Sequence, residues 1–287
     1  IFIFYMQHFS WNDLNETIDF TLLEKKQISI QKNNKLYNIV ENYQNNLVPV
    51  IDLNKIDLTI HSNREQVYDL FYKERGAIIF KNVININNIN KYEKWSNEML
   101  KVAKKDKNCN HPKQKDKYLI NDVLKRMCET DIDLFFELLF NNKLLEIQDI
   151  ILGFATYGSV TGHIINPKGK RQLSHVDYPI HLGSGKFWNN SMEKLKRMTT
   201  KYQINKIFPY YSFQLLIAID KMNSYNGSTE IVPCSHLIEN IDINIHNKKN
   251  YENFEKYFFN VELDKGDVLI FNRRLCHRGG ENQSNNS

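Results

Sequence analysis

From Gly153 onward the chain is built of short apolar runs separated by Gly, Ser, Thr and Pro, and that punctuation permits few architectures. Runs of this length between turn residues read as antiparallel strands. Ser212–Asp220 is the longest of them, apolar at most positions, as expected of a strand buried on both faces. Asn226-Gly227-Ser228 turns the chain into Thr229–Val232, which Pro233 ends, and Lys265-Gly266-Asp267 turns it into Val268–Phe271. Asn166-Pro167-Lys168-Gly169 separates Val160–Ile165 from Arg171–Tyr178, so the spacing predicts a hairpin with these two segments side by side. Several short strands with such turns predict a sandwich or jelly roll.

The first half has a different period. Leu36, Ile39, Val40 and Tyr43 follow the helical spacing, and that helix ends before Pro49. Ser62-x-x-Glu65 reads as a capping box, with Val67, Leu70 and Phe71 as the apolar face behind it and Gly76 as the C-terminal stop. Ala77–Phe80 is a short buried strand. A second helix carries Ile89, Tyr92, Met99 and Ala103 on one stripe, and Val123–Met127, Leu134–Phe140 and Leu144–Ile151 predict three more. The expected organisation is a mainly helical region over 1–150 packed on a β core over 151–287, an α+β fold with a mainly β core. The stretch Phe187–Ile207, helix-like at Glu193–Met198, is an insertion that suits a lid or an exposed decoration.

Composition narrows the partners. A hydrophobic fraction of 41% with 12% aromatics supplies a sizeable core. The formal charge of +5 is concentrated in Lys104–Lys117, where six Lys meet two Asp. That loop lacks the interleaved aromatics and Arg that single-stranded nucleic acid needs, so it reads as solvated and no nucleic-acid partner is expected. Cys109, Cys128, Cys234 and Cys276 are scattered with no C-x-x-C spacing and no signal peptide, which predicts reduced thiols in an intracellular, cytoplasmic setting. The apolar opening Ile1–Met6 falls short of the roughly 20 residues that span a bilayer, so no membrane span is expected. A start on Ile and a stop at Ser287 suggest part of a longer product, with the core truncated at its C-terminal end.

One constellation carries chemistry. On a strand His175 and Asp177 share a face, their Cα atoms roughly 6.6 Å apart, close enough to converge on one ion. Two His and one carboxylate, completed by His277, would leave open positions of the kind non-haem Fe(II) oxygenases use. With 9 His and 33 acidic residues among 287, chance alone supplies about one His-x-acid triplet, so its weight comes from what surrounds it.

Four stretches supply that weight, in one order: His175-Val176-Asp177-Tyr178, the strand ending Leu216-Ile217-Ala218-Ile219-Asp220, the corner Asn226–His236, and Gly266–Phe271 leading to His277. Together they resemble the phytanoyl-CoA dioxygenase family of Fe(II)- and 2-oxoglutarate-dependent oxygenases over roughly 150–287, with a looser match at Tyr72–Phe80. The resemblance implies a double-stranded β-helix, a cupin-like jelly roll, with His175, Asp177 and His277 as metal ligands. It implies Fe(II), with 2-oxoglutarate and O2 as cosubstrates. The reaction would oxidise a C–H bond of a small-molecule substrate and release succinate and CO2. Related halogenases replace the carboxylate with a small residue, so Asp177 favours hydroxylation, although desaturation and cyclisation share the same chemistry.

The family places an arginine about eleven residues after its second histidine, where its planar fork pairs with the far carboxylate of 2-oxoglutarate. Counted from His277 that is position 288, and the expectation is that it lies just past Ser287. Arg273, Arg274 and Arg278 stand too close to the metal strand for that role and read as surface charge or substrate contact, with Arg274 the substrate-binding candidate. Ser284 falls near the expected carboxylate, and Gln214 alternates with Leu216 and Ala218 towards the interior, so both are cofactor-binding candidates; for Gln214 a structural hydrogen bond is the competing role. His181 and Trp188 follow the metal strand where a substrate mouth is expected. His236 reads as structural, and the hairpin register gives His163 the opposite parity to His175. Two other readings fit the scaffold: a non-catalytic binding or regulatory protein, and a metal oxygenase of the same fold that uses no keto acid. Oligomeric state and substrate identity do not follow from the sequence.

Overall fold

The computed structural model describes residues 48–103, 117–153, 160–177, 213–237 and 254–285. The expectations on Leu36–Tyr43, on the loop 104–116, on the insertion 187–207 and on His181 and Trp188 lie outside the described residues. In chain order the elements are β1 (Val50–Asp52), α1 (His61–Asp69), β2 (Ala77–Lys81), α2 (Ile86–Ala103), β3 (Lys117–Ile120), α3 (Val123–Thr130), α4 (Ile132–Leu139), α5 (Asn142–Leu152), β4 (Gly162–Ile165), β5 (Phe213–Ile217), β6 (Thr229–Ile231), β7 (Phe259–Asn260), β8 (Val268–Asn272) and β9 (His277–Gly279).

Side-chain alternation sorts the core. A four-stranded sheet runs β1-β2-β8-β5 and a three-stranded sheet β7-β6-β9. On the larger sheet Ile78, Phe80, Ile217, Val268 and Ile270 point to one face, where they meet Leu70, Phe71, Ile89, Tyr92 and Leu134 of the helical half. The residues between them, Ala77, Ile79, Leu216, Ala218, Leu269 and Phe271, point to the other face and pack with Ile231 of the smaller sheet and with Val261 and Leu263, which follow β7. Both faces are therefore dry, and a strand covered on both faces reads as a continuous apolar run. Each fully buried Ile, Leu or Phe contributes about 1.5–3 kcal/mol relative to exposure. The two sheets lie face to face with the helices outside the larger one.

Gly76 delivers β2 into this core. Its φ of 78° ends the helical stretch, and its N–H reaches back to the Leu70 carbonyl at 3.2 Å. Two expectations are corrected. Helix α1 begins at His61 with Ile60 as its cap, and no side chain caps it, so Ser62-x-x-Glu65 is not a capping box. The reason lies upstream: Asp57 turns the chain by accepting from the Thr59 N–H at 2.8 Å and hydroxyl at 2.7 Å, which puts Ser62 inside the first turn.

The second correction is the hairpin. The turn forms, with Gly169 donating to the Asn166 carbonyl at 3.0 Å, but the returning segment does not pair with β4. Strand β4 pairs instead with β3, Leu119 opposite His163. Asn282 holds the turn at both ends, its Nδ2 on the Ile165 carbonyl at 3.0 Å and its N–H on the Gly169 carbonyl at 2.9 Å. With those carbonyls taken, Arg171–Asp177 is led along β9 of the smaller sheet.

Candidate metal centre

Pairing with β9 assembles the site. His175 and His277 form an antiparallel bridge in which each N–H donates to the other's carbonyl at 2.9 Å. Directly opposed residues present their side chains on the same face, and here the two ring centroids are 4.4 Å apart. Asp177 follows two residues after His175, and its backbone is held twice by Arg273. Its N–H donates to the Arg273 carbonyl at 2.9 Å, and its carbonyl accepts from Arg273 Nη2 at 2.8 Å.

The rings are oriented by their own chain. His175 Nδ1 lies 2.9 Å from the Leu173 carbonyl, and His277 Nδ1 lies 2.9 Å from the Leu275 carbonyl. A carbonyl only accepts, so Nδ1 carries the hydrogen, and a neutral ring then has its lone pair on Nε2. Both Nε2 atoms face Asp177, at 3.3 Å from His277 and 3.9 Å from His175. One ligand atom from each of the three residues lies within 4.8 Å of the others.

Electrostatics favours a cation there. Asp177 is 1% exposed. Burial pushes its carboxyl up, but His277, by charge and hydrogen bond, then His175 and Arg273 outweigh burial and hold it at about 2. An ionised carboxylate that deep requires positive charge beside it. Arg273 stands beside it, and a metal ion among the three side chains would add further positive charge; two nitrogens with one oxygen suit iron.

The remaining expected residues divide. Gln214 is buried beside the carboxylate and donates its Nε2–H to Asp177 Oδ2, as its alternation with Leu216 and Ala218 predicts. Ser284 donates both its N–H and its hydroxyl hydrogen to Asn282 Oδ1, at 3.0 and 2.6 Å. Arg273, Arg274 and Arg278 are all buried, which overturns their reading as surface charge. Arg274 closes the turn before β9, its N–H on Asn272 Oδ1 at 3.0 Å. His236 packs against Gly76 with Nε2 3.3 Å from the Tyr72 carbonyl, in keeping with a structural role, and His163 stays on β4 away from the triad.

Three residues have roles that the sequence reading did not assign them. Arg273 clamps the Asp177 backbone. Gln172 pairs with Gly279 twice, donating its N–H at 2.9 Å and accepting on Oε1 at 2.6 Å, which fixes the register of the His175 segment. Glu230 lies buried between Arg171 at 3.1 Å and Arg278 Nε at 2.5 Å, and Arg278 continues to Glu255. The available signal was a lone acid inside the apolar run Thr229–Val232 and a lone base directly after His277.

Two imidazoles and a buried carboxylate are the donor set that non-haem iron oxygenases use. The sequence profile of the phytanoyl-CoA dioxygenase family matches residues 72–287, and the chain belongs to that family. It is an oxidoreductase of the type that uses iron, 2-oxoglutarate and O2.

Solved structures share the fold. HygX from Streptomyces hygroscopicus, with nickel, 2-oxoglutarate and hygromycin B bound, superposes with a TM-score of 0.52 at 12% identity, covering 78% of this chain and 82% of that one. EctD from S. alaskensis with bound Fe gives 0.52 at 13%, covering 79% and 73%. SnoK, a non-haem α-ketoglutarate-dependent carbocyclase from nogalamycin biosynthesis, gives 0.51 at 15%, covering 76% and 78%. A search of curated proteins returns no match. Among the described residues no helix is long and apolar enough to cross a membrane.

Proposed function

We propose that this chain hydroxylates a C–H bond of a small molecule, at an iron held by His175, Asp177 and His277 inside a closed double-stranded β-helix. The observation that carries the proposal is the orientation of the two rings. Both Nδ1 atoms are committed to carbonyls, so both Nε2 lone pairs aim at one buried carboxylate. Support for the small-molecule class comes from HygX and EctD, whose structures hold hygromycin B and 5-hydroxyectoine with 2-oxoglutarate.

When bound, iron with 2-oxoglutarate and O2 supplies the oxidation of a C–H bond, with succinate and CO2 released. The chain supplies the frame. His175, Asp177 and His277 would hold the ion and leave it positions for other ligands. Phe271, whose ring centroid is 4.7 Å from that of His277, and Gln214 line the inner side. His175, with 28% of its side chain exposed, lies on the open side, from which the substrate approaches. Arg274 and, in the adjoining segment, His181 and Trp188 are the proposed substrate contacts.

The test is spectroscopic. Anaerobic addition of 2-oxoglutarate to the Fe(II) protein should produce a weak visible charge-transfer band, and air with a small-molecule panel should release succinate. Absence of the band would leave the scaffold as a binding protein or as an oxygenase without a keto acid.

A further inference from the structure

Each of the three proposed ligands has a tether, and the third tether has a function of its own. The two rings are held by carbonyls two residues earlier in their own chain. Among the described residues no backbone group of its own segment holds the Asp177 carboxylate. Its backbone is fixed by Arg273 through the N–H and the carbonyl, but those bonds leave the side-chain torsions free. The partner that holds the carboxylate itself comes from another strand: Gln214 on β5, 3% exposed, donating to Oδ2.

The orientation of the Gln214 amide is dictated by chemistry. An ionised carboxylate only accepts, so the amide nitrogen must face it. That leaves Gln214 Oε1 buried and, among the described residues, without a hydrogen-bond partner. An unmet buried acceptor costs about 1–3 kcal/mol, and the cost is offset when a donor arrives. 2-Oxoglutarate as a dianion has no donor to give to Oε1. A water on the metal or an O–H of the substrate does.

We propose that Gln214 is a positioning residue of the metal centre. Its N–H holds Oδ2, so that Asp177 would offer a metal the other oxygen, and its Oε1 would receive an O–H group entering the site. Single-oxygen ligation matters because a carboxylate that rotates to bind through both oxygens fills a position that ligands need. The inference rests on the triad assignment above. It replaces the expectation of a direct cosubstrate contact with one made through Asp177.

Cobalt(II) serves as the probe, since its visible spectrum reports coordination number and its affinity is measured by competition with a chelator. Gln214→Met keeps the length of the side chain and deletes both polar ends. Cobalt affinity should fall about tenfold to a hundredfold, the usual loss for a partner of a metal ligand. The cobalt spectrum should shift towards higher coordination, and the thermal midpoint of the metal-free protein should hold or rise. Gln214→Asn, which keeps the amide but is one methylene too short, should show the same affinity loss and serves if the Met variant fails to fold. Affinity within threefold of wild type and an unchanged spectrum in both variants would overturn the proposal. Asp177→Asn separates the two claims: if it abolishes cobalt binding while the Gln214 variants change nothing, the triad stands and the positioning role falls. If wild-type protein binds no cobalt, both fall.

Discussion

His175 and His277 are the two halves of one antiparallel bridge, each donating its N–H to the other's carbonyl at 2.9 Å. Residues far apart in the chain thus share one rung of a sheet, and the spacing of their rings is set by the backbone. The ligand set is as rigid as the sheet edge that carries it. Such a site is disabled by losing a side chain without losing the rung. His175→Ala, Asp177→Ala and His277→Ala should each abolish iron-dependent turnover, while circular dichroism of the metal-free protein stays that of wild type. Full activity in any one of them would remove that residue from the triad.

Glu230 should be the costliest acid to remove. It is buried on β6 opposite Arg278 of β9, and Arg171 reaches it from the segment that leads into His175. Deleting one partner of a buried pair costs about 3–5 kcal/mol when the other charge is left alone, and because the half-exposed Glu255 still reaches Arg278 the low end of that range is expected. Glu230→Ala should therefore lower the unfolding free energy by about that amount in urea titration. Glu255→Ala, whose side chain is 44% exposed, should cost no more than about 1 kcal/mol, although it also pairs with Arg278. Equal losses would contradict the burial argument.

Gly76→Ala tests how the helical half is joined to the site. At φ 78° an L side chain costs about 1–2 kcal/mol. A Cβ there would also lie 2.3 Å from His236 Nδ1 and 2.8 Å from Leu275 Cδ1. Leu275 holds the His277 ring through its carbonyl, so the variant should weaken iron binding as well as lower the thermal midpoint. A loss of stability with unchanged iron affinity would show that the displacement stops at His236.

What was legible in the sequence followed from periods and local chemistry. Alternation placed Gln214 on the interior face with Leu216 and Ala218, and the helical period found α2, α3, α4 and α5 because each buries one stripe. That His175, Asp177 and His277 would come together was expected from the family resemblance of the four stretches, and their ligand atoms lie within 4.8 Å of one another. What failed depended on contacts distant in sequence. The turn at Asn166–Gly169 forms as read, yet Asn282 takes its carbonyls and sends the His175 segment to β9. Arg273 and Arg278 looked like surface charge because their partners, Asp177 and Glu230, lie on other strands. Ser62 looked like a cap because the Asp57 turn that moves the helix start is itself irregular.

Metal should stabilise the native chain by mass action, since unfolding separates His175 and Asp177 from a His277 that only the sheet brings beside them. A ligand that binds only the native state adds about 2.7 kcal/mol when its free concentration is a hundred times Kd. For a protein of this size each kcal/mol moves the thermal midpoint by about 2–4 °C. Saturating cobalt(II) should thus raise the midpoint by about 5–10 °C in wild type, and a chelator should reverse the rise. In Asp177→Ala the shift should vanish, because the two imidazoles alone lack the charge that holds the ion in a buried position. A shift of equal size in that variant would mean that the metal stabilises the chain from some other place, and the triad would lose its claim to the ion.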